Sequence, residues 1–217
     1  MGYVDSFSVS GSALAVSGAM IATTRSYSSG SIGKFNISDV RSIGGALLIT
    51  TGQASIDSVI LSGLASLGAL SVTATSSSIS LLSVSGTNAV VAGAISIVSG
   101  TASLSGSIGT ATLSGILSAS AVTINMQRGS VTTVVFAGSS SLAVGGNFSI
   151  IGSPSFSTGT LFNLSVSTTT ANVSITGYAV VSGGAGRITN VAFAGLRAVG
   201  GLDVSASSAS GVCMHDA

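Results

Sequence analysis

A short motif recurs along this chain, and its spacing constrains the fold more than any other feature of the sequence. The clearest copies are Gly-Ala-Leu-Leu-Ile-Thr at 45–50, Gly-Ala-Leu-Ser-Val-Thr at 68–73 and Gly-Ala-Ile-Ser-Ile-Val at 93–98, spaced by roughly 23 to 25 residues. Looser copies lie at 13–17, 121–125, 147–151, 172–176 and 201–205. A period of this length is typical of repeat architectures, so the chain is predicted to contain about eight repeated structural units.

Each copy of the motif places two apolar side chains two residues apart. This alternation predicts a β-strand with one buried face, because successive side chains of a strand point to opposite sides. The residue between the two apolar ones is small and hydroxylated in most copies. The apolar pairs are Leu47/Ile49, Leu70/Val72, Ile95/Ile97, Val122/Ile124, Phe148/Ile150, Val173/Ile175 and Leu202/Val204.

Further apolar residues follow within most repeats. A second set begins about twelve residues after the first pair, or later where the connecting segment is longer, and a third cluster follows it. The second set is Val59/Leu61, Leu82/Val84, Val134/Phe136, Leu164/Val166 and Val191/Phe193. The third is Leu64/Leu67, Val90/Val91, Leu142/Val144 and Leu196/Val199. Each repeat is therefore predicted to hold two or three short strands joined by Gly and Ser corners.

One such repeat cannot bury its apolar face alone. Stacking equivalent strands about 4.8 Å apart would pair their backbones and join their apolar faces into one core. The predicted fold is all-β, a single-stranded right-handed parallel β-helix (β-solenoid) of about eight coils with roughly 23–29 residues per coil. It would span 13–206, between an N-terminal lead-in at 1–12 and a polar C-terminal tail at 207–217. An antiparallel sandwich is the competing fold, but the Asn-Gly and Asp-Gly dipeptides of tight hairpins do not occur in this sequence.

Few side chains carry a charge: charged residues are 5% of the chain, and the formal net charge is +1. The sequence has no basic stripe to neutralise phosphates, so nucleic-acid binding is not predicted. The mean hydropathy is +0.78, and no charged residue occurs between Ser58 and Gln127. Ser, Thr and Gly nevertheless interrupt every apolar run before the length of about 20 residues that a spanning helix needs, so no transmembrane segment is predicted.

The Gly-Ala-Leu-x-Val/Ile-Thr strands and Ser/Gly corners, which run from Ala13 to Ser205, resemble the right-handed parallel β-helix repeats of large surface and adhesin-like proteins. Examples are bacterial autotransporter passengers and the large repetitive surface proteins of kinetoplastid protists. The resemblance implies an extracellular or cell-surface rod used for contact or display. Surface glycans, or other copies of the chain docked on exposed end coils, would be its partners. The N-terminus lacks the Lys/Arg-bearing start of a secretory signal, so we expect unconventional secretion or a longer parent protein.

The hydroxylated residues between the paired apolar ones are the first candidate binding group. They should face outward and form a regular ladder, as on solenoids that bind carbohydrate or ice. The predicted members are Ser71, Ser96, Thr123, Ser149 and Ser174. Four Asn-x-Ser sequons, at Asn36, Asn147, Asn163 and Asn172, are candidate N-glycosylation sites, and glycans there would hydrate a surface with few charges.

No catalytic, metal-binding or cofactor-binding residues are predicted. Enzymes that cleave polysaccharides on a β-helix need titratable groups clustered on one sheet. Here the Asp residues are scattered, Glu is absent, and Asp39 with Arg41 is the only close pair of opposite charges. We therefore expect a non-catalytic structural or adhesive scaffold. A carbohydrate- or ice-binding solenoid is the alternative, and a polysaccharide lyase or hydrolase is the least favoured class.

Overall fold

The computed structural model describes residues 4–24, 31–101, 103–138, 141–152, 160–168, 172–184, 187–206 and 212–215. Within these ranges the regular secondary structure consists of β-strands only. The strands are β1 Val4–Val16, β2 Met20–Thr23, β3 Ile32–Thr51, β4 Ile56–Ala74, β5 Ser78–Ser99, β6 Ser107–Met126, β7 Ser130–Ala137, β8 Leu142–Val144, β9 Phe148–Gly152, β10 Thr160–Ser167, β11 Val173–Gly184, β12 Arg187–Ala194, β13 Leu196–Ala206 and β14 Val212–His215. The described residues include no helix long and apolar enough to cross a membrane.

The strands stack in parallel, coil upon coil, in three columns. Column 1 contains 4–10, 32–38, 56–62, 79–85, 108–114, 131–137, 161–167, 188–194 and 212–215. Column 2 contains 14–16, 40–43, 64–67, 89–91, 116–119, 142–144, 173–175 and 196–199. Column 3 contains 20–23, 47–51, 70–74, 95–99, 122–126, 148–152, 179–183 and 202–206. The predicted β-solenoid is confirmed, with about seven full turns between the first and last strands of column 3.

Apolar side chains from all three columns meet in one continuous core. The predicted strand pairs from Leu47/Ile49 to Phe148/Ile150 point into it and are buried. Near one end of the core, Phe148 packs edge to face against Phe136 and Phe193, with ring centroids 5.6 and 5.2 Å apart. Because no coil has a core of its own, removal of this shared apolar surface from water is the main force that holds neighbouring coils together.

Two copies of the repeated motif occupy a different column from the others. Residues 13–17 and 172–176 contribute to column 2, where Leu14 pairs with Val40 and Val173 pairs with Leu142. In those two coils, column 3 is formed by 20–23 and 179–183 instead. All columns share the same alternation of apolar and small residues, so the alternation identifies a strand without identifying its column.

The stacked pairing extends beyond 13–206 at both ends. Phe7 pairs with Phe35, and their rings stack with centroids 5.1 Å apart. At the other end, β14 pairs with β12, so that Met214 is the register partner of Phe193. The proposed lead-in and tail therefore both contribute strands to column 1.

Coil length varies more than the sequence predicts. Hydrogen-bonded residues of adjacent coils are 23 positions apart at Ala54 and Ser77 but 31 apart at Asn147 and Tyr178. The extra residues lie in connections between strands, which leaves the strand register intact on either side. Connections between strands generally accept insertions more readily than the strands themselves.

A residue with positive φ forms the corner between column 1 and column 2. In five coils this residue directly precedes the first residue of column 2. The five are Asp39 (φ 60°), Gly63 (79°), Asn88 (56°), Gly115 (66°) and Gly195 (75°). Gly adopts this left-handed conformation without steric cost, and Asp and Asn tolerate it better than other L-residues. One such residue turns the chain sharply enough to start the next strand.

Glycine forms the corner between columns 2 and 3 for a different reason. A Cβ on Gly68 would lie 2.4 Å from the carbonyl oxygen of Gly45 and 2.5 Å from that of Gly44, both in the preceding coil. Adjacent coils therefore approach too closely here for any side chain. This close approach explains why the clearest motif copies begin with Gly.

Candidate functional site

Four hydroxyl groups form a row on the outer face of column 3. Ser71, Ser96, Thr123 and Ser149 are register partners in four consecutive coils. Their side chains alternate with buried apolar ones and are half-buried. With one strand spacing of about 4.8 Å per coil, the hydroxyl row is about 14 Å long.

Ser174, the fifth residue predicted for this row, lies on column 2. Its register partners are Ala143 and Ala198. The equivalent column 3 position in that coil is Val180, which pairs with Ser149. The hydroxyl row therefore ends at an apolar residue on this side.

The surface beside the hydroxyl row is mixed. Leu48 pairs with Ser71 and ends the row on its other side. Two residues further along each strand, a second outward row runs Thr50, Thr73, Val98 and Asn125. Of these two outward rows, only the first has four hydroxyls in succession, so column 3 does not present a broad uniform hydroxyl face.

The sequon asparagines lie at separate places on the solenoid. Asn36 and Asn163 are on column 1, whereas Asn147 and Asn172 directly precede β9 and β11. Asn147 is exposed and the other three are half-buried. The Asn163 Oδ1 accepts a hydrogen bond of 2.9 Å from Asn190 Nδ2, and the Asn147 Oδ1 accepts one of 2.9 Å from the backbone N–H of Tyr178. Both bonds use the oxygen, whereas a glycan would be attached through the nitrogen.

The acidic residues of the described chain are distributed over several coils. Asp5 and Asp57 lie on β1 and β4, Asp203 lies on β13, and Asp39 occupies a corner. No two of these four are register partners in the described strand pairs. Within the same ranges, no group of three or more His, Cys, Asp or Glu side chains could hold a metal ion.

A cleft lies at the corner where column 3 leads back to column 1, and the strand pattern alone does not predict it. Its volume is about 600 Å³, and it is broadly open to solvent. Its lining is mainly polar, and Arg128 is the one charged residue that the described part of the chain contributes to it. The other lining residues are Gln53, Ser55, Ser76, Ser77, Ser78, Ser105, Gly106, Ser107, Gly129 and Ser130.

The cleft forms where one connection is longer than its neighbour. Residues 100–106 join β5 to β6, whereas residues 75–77 join β4 to β5. The longer connection closes on itself, because the Thr101 N–H donates to the Leu104 carbonyl oxygen at 2.8 Å and the Leu104 N–H donates to the Thr101 hydroxyl at 3.1 Å. Ser105 and Gly106, at the end of this connection, line the cleft together with serines of the preceding coil.

Two of the residues that line the cleft, Gly106 and Gly129, are buried glycines. A Cβ on Gly106 would lie 1.9 Å from the Ala74 carbonyl oxygen, and one on Gly129 would lie 1.9 Å from the Gly106 carbonyl oxygen. The backbones of successive coils are therefore in direct contact at this point. A side chain on either residue would collide with the preceding coil, so both positions require glycine.

The polar groups of the cleft have distinct hydrogen-bonding roles. The Ser76 hydroxyl donates to the Gly52 carbonyl oxygen at 2.7 Å, and the Ser77 hydroxyl donates to the Ala54 carbonyl oxygen at 2.8 Å. A hydroxyl has one hydrogen, so each of these two oxygens retains acceptor capacity only. The Arg128 guanidinium supplies positive charge, and its Nη1 donates to the Ser103 carbonyl oxygen at 3.2 Å.

Two features of the sequence point to this cleft once the columns are known. The segment between the apolar residues Ile97 and Ile108 is long and rich in Ser and Gly, and Arg128 is the first charged residue after Asp57. Neither feature belongs to the strand alternation. The periodic strand pattern therefore predicts neither feature.

The three columns of parallel strands define the chain as a β-solenoid protein. No protein-family model, curated protein or solved structure matches it.

Proposed function

We propose that the chain is a non-catalytic structural scaffold of an extracellular or cell-surface protein, which presents surface groups in a fixed array for adhesive contact. The observation that carries this proposal is the continuous core. One cluster of buried side chains runs from Ala22 and Phe35 at one end to Phe193 at the other. Because every coil packs on its neighbours through this core, the outer faces of successive coils keep a constant relative position.

The surface chemistry supports a contact role. Hydroxyl groups outnumber charged groups on the outward positions of column 3, from Thr50 through Ser149. A single hydrogen bond to a hydroxyl contributes only about 0.5–1.5 kcal/mol net, so such a surface binds appreciably only when several contacts form together. Repetition at one strand spacing supplies that multiplicity.

A second candidate function is recognition of carbohydrate or ice by the hydroxyl row itself. The register of Ser71, Ser96, Thr123 and Ser149 favours it, since these residues present hydroxyls at a constant interval. Carbohydrate is the better ligand class than ice. A flat ice plane would require hydroxyls in the adjacent row as well, where Val98 and Asn125 stand.

The first experiment measures binding of the full chain to immobilised polysaccharides, together with the release of reducing ends or unsaturated products from the same samples. Binding without product is expected, and appearance of product would overturn the non-catalytic assignment. A variant with Ser71→Ala, Ser96→Ala, Thr123→Val and Ser149→Ala should bind about tenfold more weakly if the hydroxyl row makes the contact.

A matched control removes outward hydroxyls from column 1. Ser83→Ala, Thr112→Val and Ser165→Ala change the same chemical groups in one register row of column 1. Equal loss of polysaccharide binding in the column 1 and column 3 variants would show that binding does not depend on the column 3 face. Antibody labelling of intact source cells tests the surface location separately, and labelling seen only after permeabilisation would contradict it.

A further inference from the structure

We propose that Asn147, alone among the four sequon asparagines, is a favoured site for an N-linked glycan, and that this glycan covers an apolar part of the outer face of column 3. The assignment rests on the extracellular location proposed above for the chain, because N-linked glycans are added in the eukaryotic secretory pathway. Its tests are chosen so that they do not depend on where the natural protein is located.

Asn147 differs from the other three sequon asparagines in its exposure. It is exposed, whereas they are half-buried. It lies directly before β9, in which Phe148 points into the core and is fully buried. Asn147 and Ser149, on either side of Phe148, therefore point outward. The amide and the hydroxyl of this sequon lie on the same outer face, where a bulky glycan can extend into solvent.

The orientation of the Asn147 amide leaves its nitrogen available for the glycan. The Tyr178 backbone N–H donates to the Asn147 Oδ1 at 2.9 Å. Only the oxygen of the amide can accept this bond, so the bond fixes which end of the amide faces the following coil. Gly177 gives the oxygen its space, because a Cβ there would lie 2.3 Å from it. Glycan attachment replaces one hydrogen on Nδ2 and leaves the bond to Tyr178 intact.

The side of Asn147 away from Tyr178 has a small neighbour. Phe148 pairs with Val122, so the residue beside Asn147 in the preceding coil is Ala121. Its side chain is a single methyl group, which leaves space beside the Asn147 nitrogen for the first sugar.

The two sequon asparagines of column 1 lack such space. Both lie within strands and are half-buried. Asn163 lies between its register partners Thr133 and Asn190, and its Oδ1 accepts from Asn190 Nδ2 at 2.9 Å. Asn36 has Ile60 as its register partner in the following coil. A glycan on either asparagine would have to pass over these larger neighbours.

Apolar residues occupy outward positions beside Asn147 in the following coil. Tyr178 is 56% exposed. Val180 is half-buried and is the register partner of Ser149. A glycan on Asn147 would remove part of this apolar surface from water, and its own hydroxyl groups would hydrate the face.

The first test measures glycan occupancy at each sequon. A cleavable leader peptide directs the full chain into the secretory pathway of cultured eukaryotic cells, and mass spectrometry quantifies glycopeptides from both the cells and the medium. Asn147 should be modified in most molecules, and several-fold more often than each of the other three asparagines. An unmodified Asn147, or equal occupancy at all four sequons, would overturn the proposal. Failure of the surface location is a separate result, which antibody labelling of the source cells gives.

Variants at Ser149 change the sequon and leave the Asn147 amide in place. Ser149→Ala removes the hydroxyl that the sequon requires, so the Asn147 glycan should be lost. Ser149→Thr keeps a hydroxyl and should retain the glycan. Ser165→Ala is the matched control, because it removes the sequon of Asn163. Equal loss of the Asn147 glycan in Ser149→Ala and Ser165→Ala would overturn the assignment.

The second test asks whether the glycan covers Tyr178. Hydroxyl-radical labelling, read by mass spectrometry, compares the glycosylated chain with the unglycosylated Ser149→Ala variant. Tyr178 should be oxidised several-fold more slowly when the glycan is present. Phe162 is the matched control, because it is 47% exposed on β10 in column 1 and its labelling should not change. Equal labelling of Tyr178 in the two forms would overturn the covering role of the glycan.

Discussion

The Cα of Asp39 lies 3.0 Å from the position that a Cβ on Gly63 would occupy, and both residues have positive φ, 60° and 79°. The two residues form the same corner in adjacent coils. A left-handed backbone costs an ordinary L-residue roughly 1–2 kcal/mol. Gly does not bear that cost. Asp and Asn bear less of it than other residues, because their short side chains can hydrogen-bond locally. This corner therefore restricts its occupants to a few residue types.

Replacement of the corner aspartate tests that restriction. Asp39→Ala should lower the free energy of unfolding by about 1 kcal/mol, whereas Asp39→Gly should leave it unchanged or raise it slightly. Urea denaturation followed by circular dichroism measures both changes. The control is Asp57→Ala, which removes an exposed carboxylate from a residue without positive φ. If Asp39→Ala and Asp57→Ala changed the free energy of unfolding equally, the strain argument would be contradicted.

The glycine corner between columns 2 and 3 should be intolerant of even one methyl group. Gly68→Ala would place Cβ within 2.5 Å of two carbonyl oxygens, and we expect a loss of roughly 1–3 kcal/mol as the coils separate locally. Gly145→Ala is the matched control, because its nearest neighbour would be 3.7 Å away. Thermal melting distinguishes the two variants, and equal melting temperatures would show that the coils adjust without cost.

Among the described residues, the buried hydroxyl oxygens of Thr51, Ser99 and Thr189 have no hydrogen-bond partner. Removal of the two that belong to fully buried residues should stabilise the fold. Thr51 and Ser99 are fully buried, and their side-chain oxygens make no hydrogen bond. Thr51→Val and Ser99→Ala should each raise the free energy of unfolding by about 1 kcal/mol, since an unsatisfied buried hydroxyl carries its full desolvation cost.

Thr24 supplies the opposite case. Its hydroxyl donates to the Ala54 carbonyl oxygen and accepts from the Gly52 N–H, both at 2.9 Å. Thr24→Val should therefore destabilise the chain by about 1 kcal/mol, because it removes both of these bonds, while the Ala54 carbonyl oxygen keeps the Ser77 hydroxyl and the Gly52 N–H keeps the Thr24 carbonyl oxygen as partners. Chemical denaturation measures the change in the free energy of unfolding for Thr24→Val and Thr51→Val. Changes in the same direction would refute the distinction between a bonded and an unbonded buried hydroxyl.

The aromatic cluster should contribute strongly to the stability of the C-terminal coils. Phe148 is completely buried between two other phenylalanine rings, whereas Phe162 is 47% exposed. Phe148→Ala should cost about 3–5 kcal/mol and Phe162→Ala much less. Hydrogen exchange measured by mass spectrometry would locate the loss in β7, β9 and β12. A uniform loss of protection over the whole chain would show that the coils unfold as one unit.

The fold could be predicted because each strand carries its own signal. Leu70 and Val72 alternate with small residues in the same way as Ile95 and Ile97, and only stacking buries both pairs. The sequence predicted the strands better than it predicted the column to which each strand belongs. Residues 172–176 match the motif as well as several true members of column 3, yet they pair with Leu142–Val144 on column 2. The coil from Asn147 to Tyr178 has 31 residues, so a motif copy that begins 25 residues after Asn147 precedes column 3.

The surface was predictable only where it follows the strand period. Ser71, Ser96, Thr123 and Ser149 share a row because backbone register transmits from coil to coil. The cleft depends instead on how a connection folds against its neighbours. The bond from Arg128 to Ser103 joins residues about one repeat apart, but both lie in connections outside the strand alternation, so the alternation does not predict it.

The parallel register has a mechanical consequence. Hydrogen bonds between stacked strands connect successive coils, so tension applied to the two ends of the solenoid would load the coil interfaces in series. The interface that buries the least apolar surface would then yield first, wherever it lies along the axis, and would divide the solenoid into two stacks of coils.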